Sequence, residues 1–172
     1  MKKYIIFAGI VLLLDSCIPQ QEPQSMTGYR PVYLSFEAMR QIEIQPPQPM
    51  KQAGKIYIKD NYLFVNEPNK GIHIINNSNP EIPKKVAFLK IPASVDMAAK
   101  DTFLYVDNGT DLVVLDITNP EKVQLIKRVE KVFTTQLFPP EVGVYFECVD
   151  PTKGVVVGWD KVTFSQKPIC RR

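Results

Sequence analysis

The feature that most constrains this chain is a block of about forty residues that occurs twice. Lys59-Asp60-Asn61-Tyr62-Leu63-Phe64-Val65-Asn66 is matched by Lys100-Asp101-Thr102-Phe103-Leu104-Tyr105-Val106-Asp107, at an offset of 41. Gly71-Ile72-His73-Ile74-Ile75-Asn76-Asn77-Ser78-Asn79-Pro80-Glu81 is matched by Asp111-Leu112-Val113-Val114-Leu115-Asp116-Ile117-Thr118-Asn119-Pro120-Glu121, at an offset of 40, so one residue is lost between the two blocks. Each unit cannot bury its apolar side chains alone, so neighbouring copies must stack. Short β-rich runs at this period predict propeller-like blades.

The residues within a unit assign its strands. Asp60-Asn61 and Asp101-Thr102 are turn residues between two apolar runs. Both faces of 62–65 and 103–106 carry apolar bulk, which predicts strands buried in a stacked sheet. Asn69-Lys70-Gly71 and Asn108-Gly109 supply the positive-φ positions of the next hairpin. Leu112 to Leu115 is a continuous apolar strand, and Val86–Ile91 and Val123–Val129 are the outer strands. Asp116 and Asn76 recur at matching positions, which argues for a structural role. The expected repeats span about 54–93 and 94–133.

The ends are less regular. Arg30 to Phe36 is a strand candidate, Glu37 to Ile42 is either one helical turn or extended, and Ile44 to Pro49 is extended because successive prolines block helix and ladder. Residues 142–165 read as a hairpin, with arms 142–149 and 155–164 and a turn at Asp150-Pro151-Thr152-Lys153-Gly154. Fifteen prolines in 172 residues agree with many turns and short strands. The fold expected is all-β, a partial β-propeller-like stack of short antiparallel sheets in a single domain over 31–172. A closed propeller needs about 4–8 blades, and two clear repeats fall short. The N-terminal segment and the C-terminal hairpin are therefore expected to cover the open edges.

The first seventeen residues give a location. Lys2 and Lys3 precede an apolar run from Tyr4 to Leu14, too short to span a membrane comfortably, and Leu14-Asp15-Ser16-Cys17 follows. This resembles the lipobox of bacterial lipoproteins, with Asp15 as its one departure. The resemblance implies a signal peptide at 1–16, cleavage before Cys17, lipid on Cys17, and residues 17–30, rich in proline and glutamine, as a flexible tether. Plain cleavage nearby and an uncleaved anchor are the alternatives. Removing residues 1–16 takes out Lys2, Lys3 and Asp15 and leaves 156 residues with a net charge of +2. That near-neutral balance gives no electrostatic footprint for nucleic acid. An exported chain also sits where disulfides persist, so Cys148 and Cys170 form either a bridge or two free thiols.

Leu112-Val113-Val114-Leu115-Asp116-Ile117-Thr118-Asn119-Pro120 resembles the LVIVD repeat, and 72–80 is a weaker copy with Asn76 in place of the aspartate. The wider pattern over 28–165 is similar to uncharacterised lipoproteins of Bacteroidetes-type bacteria. That resemblance implies a cell-envelope protein, by analogy at the outer membrane, and carries no catalytic residues.

No motif for a phosphate loop, a nucleophile elbow or a zinc protease is present, and no cofactor is implied. His73, the only histidine, has no metal-ligand company at suitable spacing and reads as a sheet residue. Asp107-Asn108-Gly109-Thr110-Asp111 lacks the length of a calcium loop and reads as a turn. The expectation is therefore a protein that is not an enzyme. As a scaffold, it would meet an envelope protein partner through loops 66–71, 76–84, 107–111 and 116–122, with Asn69, Asn108, Asp111 and Asn119 in or near them. As a ligand-binding lipoprotein it would capture a glycan or peptide, with Trp159 a candidate contact. An exposed aromatic patch favours ligand capture, an apolar patch rimmed by polar residues favours the scaffold, and a perturbed carboxylate pair in a cleft would mark an enzyme.

Overall fold

A computed structural model describes residues 25–172. The expected signal peptide at 1–16, Cys17 and the expected tether up to residue 24 lie outside the described residues. In chain order the elements are β1 (Met26–Leu34), α1 (Phe36–Arg40), β2 (Glu43–Gln45), β3 (Ile56–Lys59), β4 (Tyr62–Glu67), β5 (Gly71–Asn76), β6 (Lys84–Lys90), β7 (Met97–Lys100), β8 (Phe103–Asn108), β9 (Asp111–Asp116), β10 (Gln124–Val129), β11 (Tyr145–Phe146), β12 (Val155–Phe164) and β13 (Cys170–Arg171). They form three sheets, ordered β2-β6-β5-β4-β3, β10-β9-β8-β7 and β12-β1-β11-β13.

The two repeats are two antiparallel blades. Their first two strands are offset by 41 residues and their last two begin 40 apart. The local bonding repeats as well. Asp60 and Asp101 both take positive φ, 51° and 55°, at the first turn. Asn77 N donates to Asn61 O at 2.7 Å, and Ile117 N to Thr102 O at 2.8 Å. The Asn76 and Asp116 side chains accept from the backbone amides two residues on, at 2.9 and 2.8 Å. These side chains shape the loop that follows each central hairpin.

The blades stack in one direction. Phe64, Ile72, Ile74 and Leu89 of the first blade pack with Leu104, Val106, Val113 and Leu115 of the second, all nearly fully buried. By repeat position, the second group corresponds to Leu63, Val65, His73 and Ile75. One face of the first blade therefore covers the opposite face of the second, a heterologous contact. The inner strands β3 and β7 lie against each other. Toward the outer strands the sheets diverge, leaving a cavity of about 240 Å³ lined by Ile42, Ile44, Leu89, Leu115, Val123 and Leu125. This wedge is the shape of a propeller sector, and the stack is open.

The ends differ from the sequence reading in two places, the start of the first strand and the C-terminal hairpin. The strand begins at Met26, so residues 26–30, expected in the tether, belong to the third sheet. Residues 142–165 are not a hairpin. β1 lies between β11 and β12, pairing parallel with β11 through Tyr29 and Phe146 and antiparallel with β12 along its whole length. The 3₁₀ turn at Pro151–Lys153, capped by Asp150, sends the chain past β1 rather than back on itself. Residues 37–42 are helical through Arg40, with Ser35 capping the helix at Ala38 N, 3.1 Å. The N-terminal segment also adds β2 to the outer edge of the first blade.

Cys148 and Cys170 form a disulfide that ties β13 beside β11. Among the described residues, no helix is long and apolar enough to cross a membrane.

Candidate functional site

Position 67 of the first repeat and position 108 of the second are equivalent, and both anchor polar clusters at the same end of the stack. In the first blade, the register Val65 to His73 and Glu67 to Gly71 puts Glu67 two residues along the same face as His73. His73 Nε2 lies 2.9 Å from Glu67 Oε2, and the two side chains are 1% and 3% exposed. Lys70 Nζ donates to Glu67 Oε1 at 2.5 Å. Lys70 above all, with help from His73 and the Lys51 amide, pulls the Glu67 pKa down to about 2 against the desolvation of burial. The His73 ring packs on Phe88, with centroids 4.6 Å apart.

This cluster floors a cleft of about 600 Å³ between the first blade and the N-terminal segment. Gln41, Gln45, Gln48, Lys51, Lys70 and Lys90 line it. The Lys90 side chain also meets Glu43 at 3.1 Å. A carboxylate held at about 2 is a fixed negative charge near neutral pH. It is poorly matched to general-base work there, which calls for a pKa near the operating pH. The cleft offers amide and ammonium donors around Glu67, with Leu34, Pro49, Phe88 and Pro92 as its apolar lining. Among the described residues, no group of His, Cys, Asp and Glu is arranged to hold a metal ion.

In the second blade, Asn108 Nδ2 donates to Met39 O at 2.9 Å and to Pro92 O at 2.6 Å. Arg128 Nη1 reaches Asn108 Oδ1 at 2.6 Å and Asp111 Oδ2 at 2.9 Å. Burial works to raise the Asp111 pKa, but the Lys131 amide, Arg128 and Arg40 together bring it below the ordinary value. Asn108 and Asp111 are 0% and 1% exposed. Expected as loop residues open to a partner, they are instead structural, because this end of the blade is covered by α1 and the third sheet.

The other expected positions are scattered. Asn69 is exposed with φ 65°, and its side chain donates to Val157 O at 3.2 Å, linking the first blade to the third sheet. Asn119 sits at the far end of the stack, where its side chain accepts from Glu121 N at 3.0 Å, as Asn79 does from Glu81 N at 3.1 Å. Trp159 is half-buried on the third sheet, edge-on to Phe146 at 5.4 Å, and is not an open stacking platform. The Cys17 position lies outside the described residues. Sequence reasoning missed Glu67, Lys70 and Arg128. The Glu67–His73 pair was legible in principle, since a hairpin centred on 68–70 brings positions 67 and 73 to one face.

The blade faces themselves are the other candidate surface. Ile56 and Ile58 on β3 are 60% and 66% exposed, beside half-buried Leu63 and Ile75.

Residues 51–86 and 93–131 match the LVIVD repeat family. Each blade is thus similar to the LVIVD repeat. The second matched segment spans β7 through β10 and the first runs from before β3 into β6, and the weaker copy, with Asn76 for Asp116, keeps the same turn geometry. No curated protein and no solved structure matches the chain.

Proposed function

We propose that this chain is a lipid-anchored protein of the cell envelope, held by acyl chains on Cys17, whose LVIVD blades act as an interaction scaffold for a protein partner. One observation carries the reading. The open face of the first blade presents Ile56, Ile58, Leu63 and Ile75, whereas the equivalent Met97, Ala99, Leu104 and Leu115 of the second blade are packed under the first. The open positions are aliphatic and rimmed by polar Asp60 and Lys85, the pattern of a docking patch for an aliphatic protein surface. The opposite end is less receptive. Exposed Lys127 stands where the first blade has buried Ala87, and Tyr105 where it has Phe64, as in a capping repeat.

Gentle solubilisation of membranes and mass spectrometry test the reading, comparing the native chain with Cys17→Ala and Ile58→Lys. The expected result is a stoichiometric protein partner with the native chain, reduced on Ile58→Lys, together with an acyl mass on Cys17. No partner with the native chain, or one undiminished on Ile58→Lys, would overturn the scaffold.

A second reading is supported by the cleft above Glu67. Its three glutamine amides and three lysines are hydrogen-bond donors suited to a glycan or an anionic peptide. It would displace the first if Lys51→Ala and Lys70→Ala abolished binding to a glycan or peptide array while Ile58→Lys left co-purification unchanged.

A further inference from the structure

The third sheet has one buried face and one turned outward. On the buried face Tyr29 pairs with Phe146, and Phe138 and Trp159 pack edge-on against Phe146 at 6.0 and 5.4 Å. The outward face alternates with it, as the pleat requires. Its aromatic rings carry cations. Arg30 lies over Phe164 at 5.5 Å from the centroid, and Tyr145 has Lys167 at 4.4 Å and Arg171 at 5.4 Å. Two acidic residues accompany these three cations, Asp160 and Glu147, and Glu147 is bound to Arg30 at 2.9 Å. Ile169, between Lys167 and Arg171, is 95% exposed.

Cations resting on amphipathic rings, with a bare aliphatic side chain among them, form an interfacial arrangement. Tyrosine favours the headgroup level, and basic side chains near it are drawn to anionic lipid. The position of this face matters as much as its composition. Met26, the first residue of β1, lies nine residues after Cys17. Nine residues at full extension span at most about 30 Å. A chain anchored at Cys17 therefore cannot carry the third sheet far from the bilayer, and the β1 end of the domain is the end nearest to it.

We propose that the outward face of the third sheet rests on a membrane surface of anionic phospholipid headgroups, with Tyr145, Lys167, Ile169 and Arg171 as its contact. This rests on the anchored reading above. It orients the scaffold, because the Met26 end of β1 and the Phe164 end of β12 lie toward the membrane while their Leu34 and Val155 ends pack on Met39 and Ala93 beside the blades. Attraction to the surface screens with salt, since the contact is exposed.

The test is hydrogen exchange on the full, lipid-bearing chain in three settings: vesicles of phosphatidylcholine, vesicles with phosphatidylglycerol added, and detergent micelles. The expected result is slowed exchange over 143–146 and 160–172 in the anionic vesicles alone. That protection is lost on raising salt and lost in Lys167→Glu/Arg171→Glu, while exchange over the repeats at 54–133 is unchanged, which reports that the variant is folded. Equal exchange in the anionic and neutral vesicles, or protection that survives the charge reversal, overturns the proposal. If the purified chain carries no acyl mass on Cys17, the anchored reading fails separately. Flotation of that unacylated chain with the same vesicles then decides the contact: native chain floating with anionic vesicles more than the charge-reversed chain supports it, and equal flotation overturns it.

Discussion

Phe88 and Arg128 hold the same place in successive repeats, each on the last strand of its blade, and they close the same end of the stack by different chemistry. Phe88 pairs with His73 and stacks on its ring at 4.6 Å, leaving Glu67 to Lys70 and His73. Arg128 pairs with Val113 and spans Asn108 and Asp111. One repeat thus uses an aromatic lid with a buried carboxylate, and the other a guanidinium clamp between an amide and a carboxylate.

The clamp predicts a large cost for its removal. Arg128→Ala leaves the Asp111 carboxylate and the Asn108 amide oxygen buried without their main partner, while Arg40 remains 3.6 Å from Asp111. The expected loss is about 3 kcal/mol, read from urea unfolding with the disulfide intact. Arg128→Ala/Asp111→Asn should lose less than Arg128→Ala, because the stranded charge is gone. An equal or larger loss in the double variant would show that Arg128 acts through packing.

The first blade predicts an acid dependence. The Glu67 pKa lies at about 2 in the folded chain against an ordinary value of 4.5. A depressed carboxylate contributes stability that is complete above its unfolded pKa and is lost as the pH falls toward its folded one. Native protein should therefore lose stability between pH 4.5 and about 2. Glu67→Gln should be less stable than native near neutrality and show a flatter profile over that window. Parallel profiles for the two chains would contradict the assignment.

These two clusters also show what the sequence could and could not carry. The repeat offset was legible because each blade is built from local hairpins, whose turn residues Asp60, Asp101 and Asn119 act within a few positions. The outer strands were legible for the same reason. The third sheet was not, since its central pairing joins Tyr29 to Phe146 in parallel, and parallel pairing of distant segments leaves no turn signal. Residues 142–165 therefore read as a hairpin around a good turn, while β1 took the place between its arms. Asn108 was misjudged because Asn-Gly marks a turn, and turns normally face solvent. Here α1 and the 92–93 loop close over it, and its amide supplies two backbone carbonyls that would otherwise be buried unpaired. Direction of stacking was equally silent in the sequence, because both faces of each blade are apolar.

Gly71 predicts a sharp local requirement. Its φ is +148°, and an added Cβ would lie 1.9 Å from Leu89 O. Gly143 also has positive φ, +76°, but nothing lies within 4 Å of its Cβ position. Gly71→Ala must move the backbone of β6, where Leu89 belongs to the inter-blade core. It should cost well over 2 kcal/mol, against about 1 kcal/mol for the strained but uncrowded Gly143→Ala. Thermal unfolding of the two variants reads the order directly, and a reversed order would refute the close approach of β5 to β6.

The disulfide makes the last prediction, because it holds the third sheet rather than the repeats. It closes a segment of 22 residues in sequence separation, from Cys148 beside β11 to Cys170 on β13. β13 is only two residues long and pairs with a two-residue β11, so besides this bridge it is held by a short ladder that Arg172 extends to Gly143 and Val144, by Arg171 over Tyr145, and by the Arg172 contacts with Pro139 and Pro140. Constraining a loop of that length is worth about 3 kcal/mol in the unfolded-chain account. Cys148→Ser/Cys170→Ser should therefore lose about 3 kcal/mol in urea unfolding. Hydrogen exchange should accelerate over 143–172 before it does over the blades, since the two clusters at Glu67 and Asn108 do not depend on the bridge. Uniform acceleration across residues 54–133 as well would mean that the third sheet is needed to keep the blades stacked.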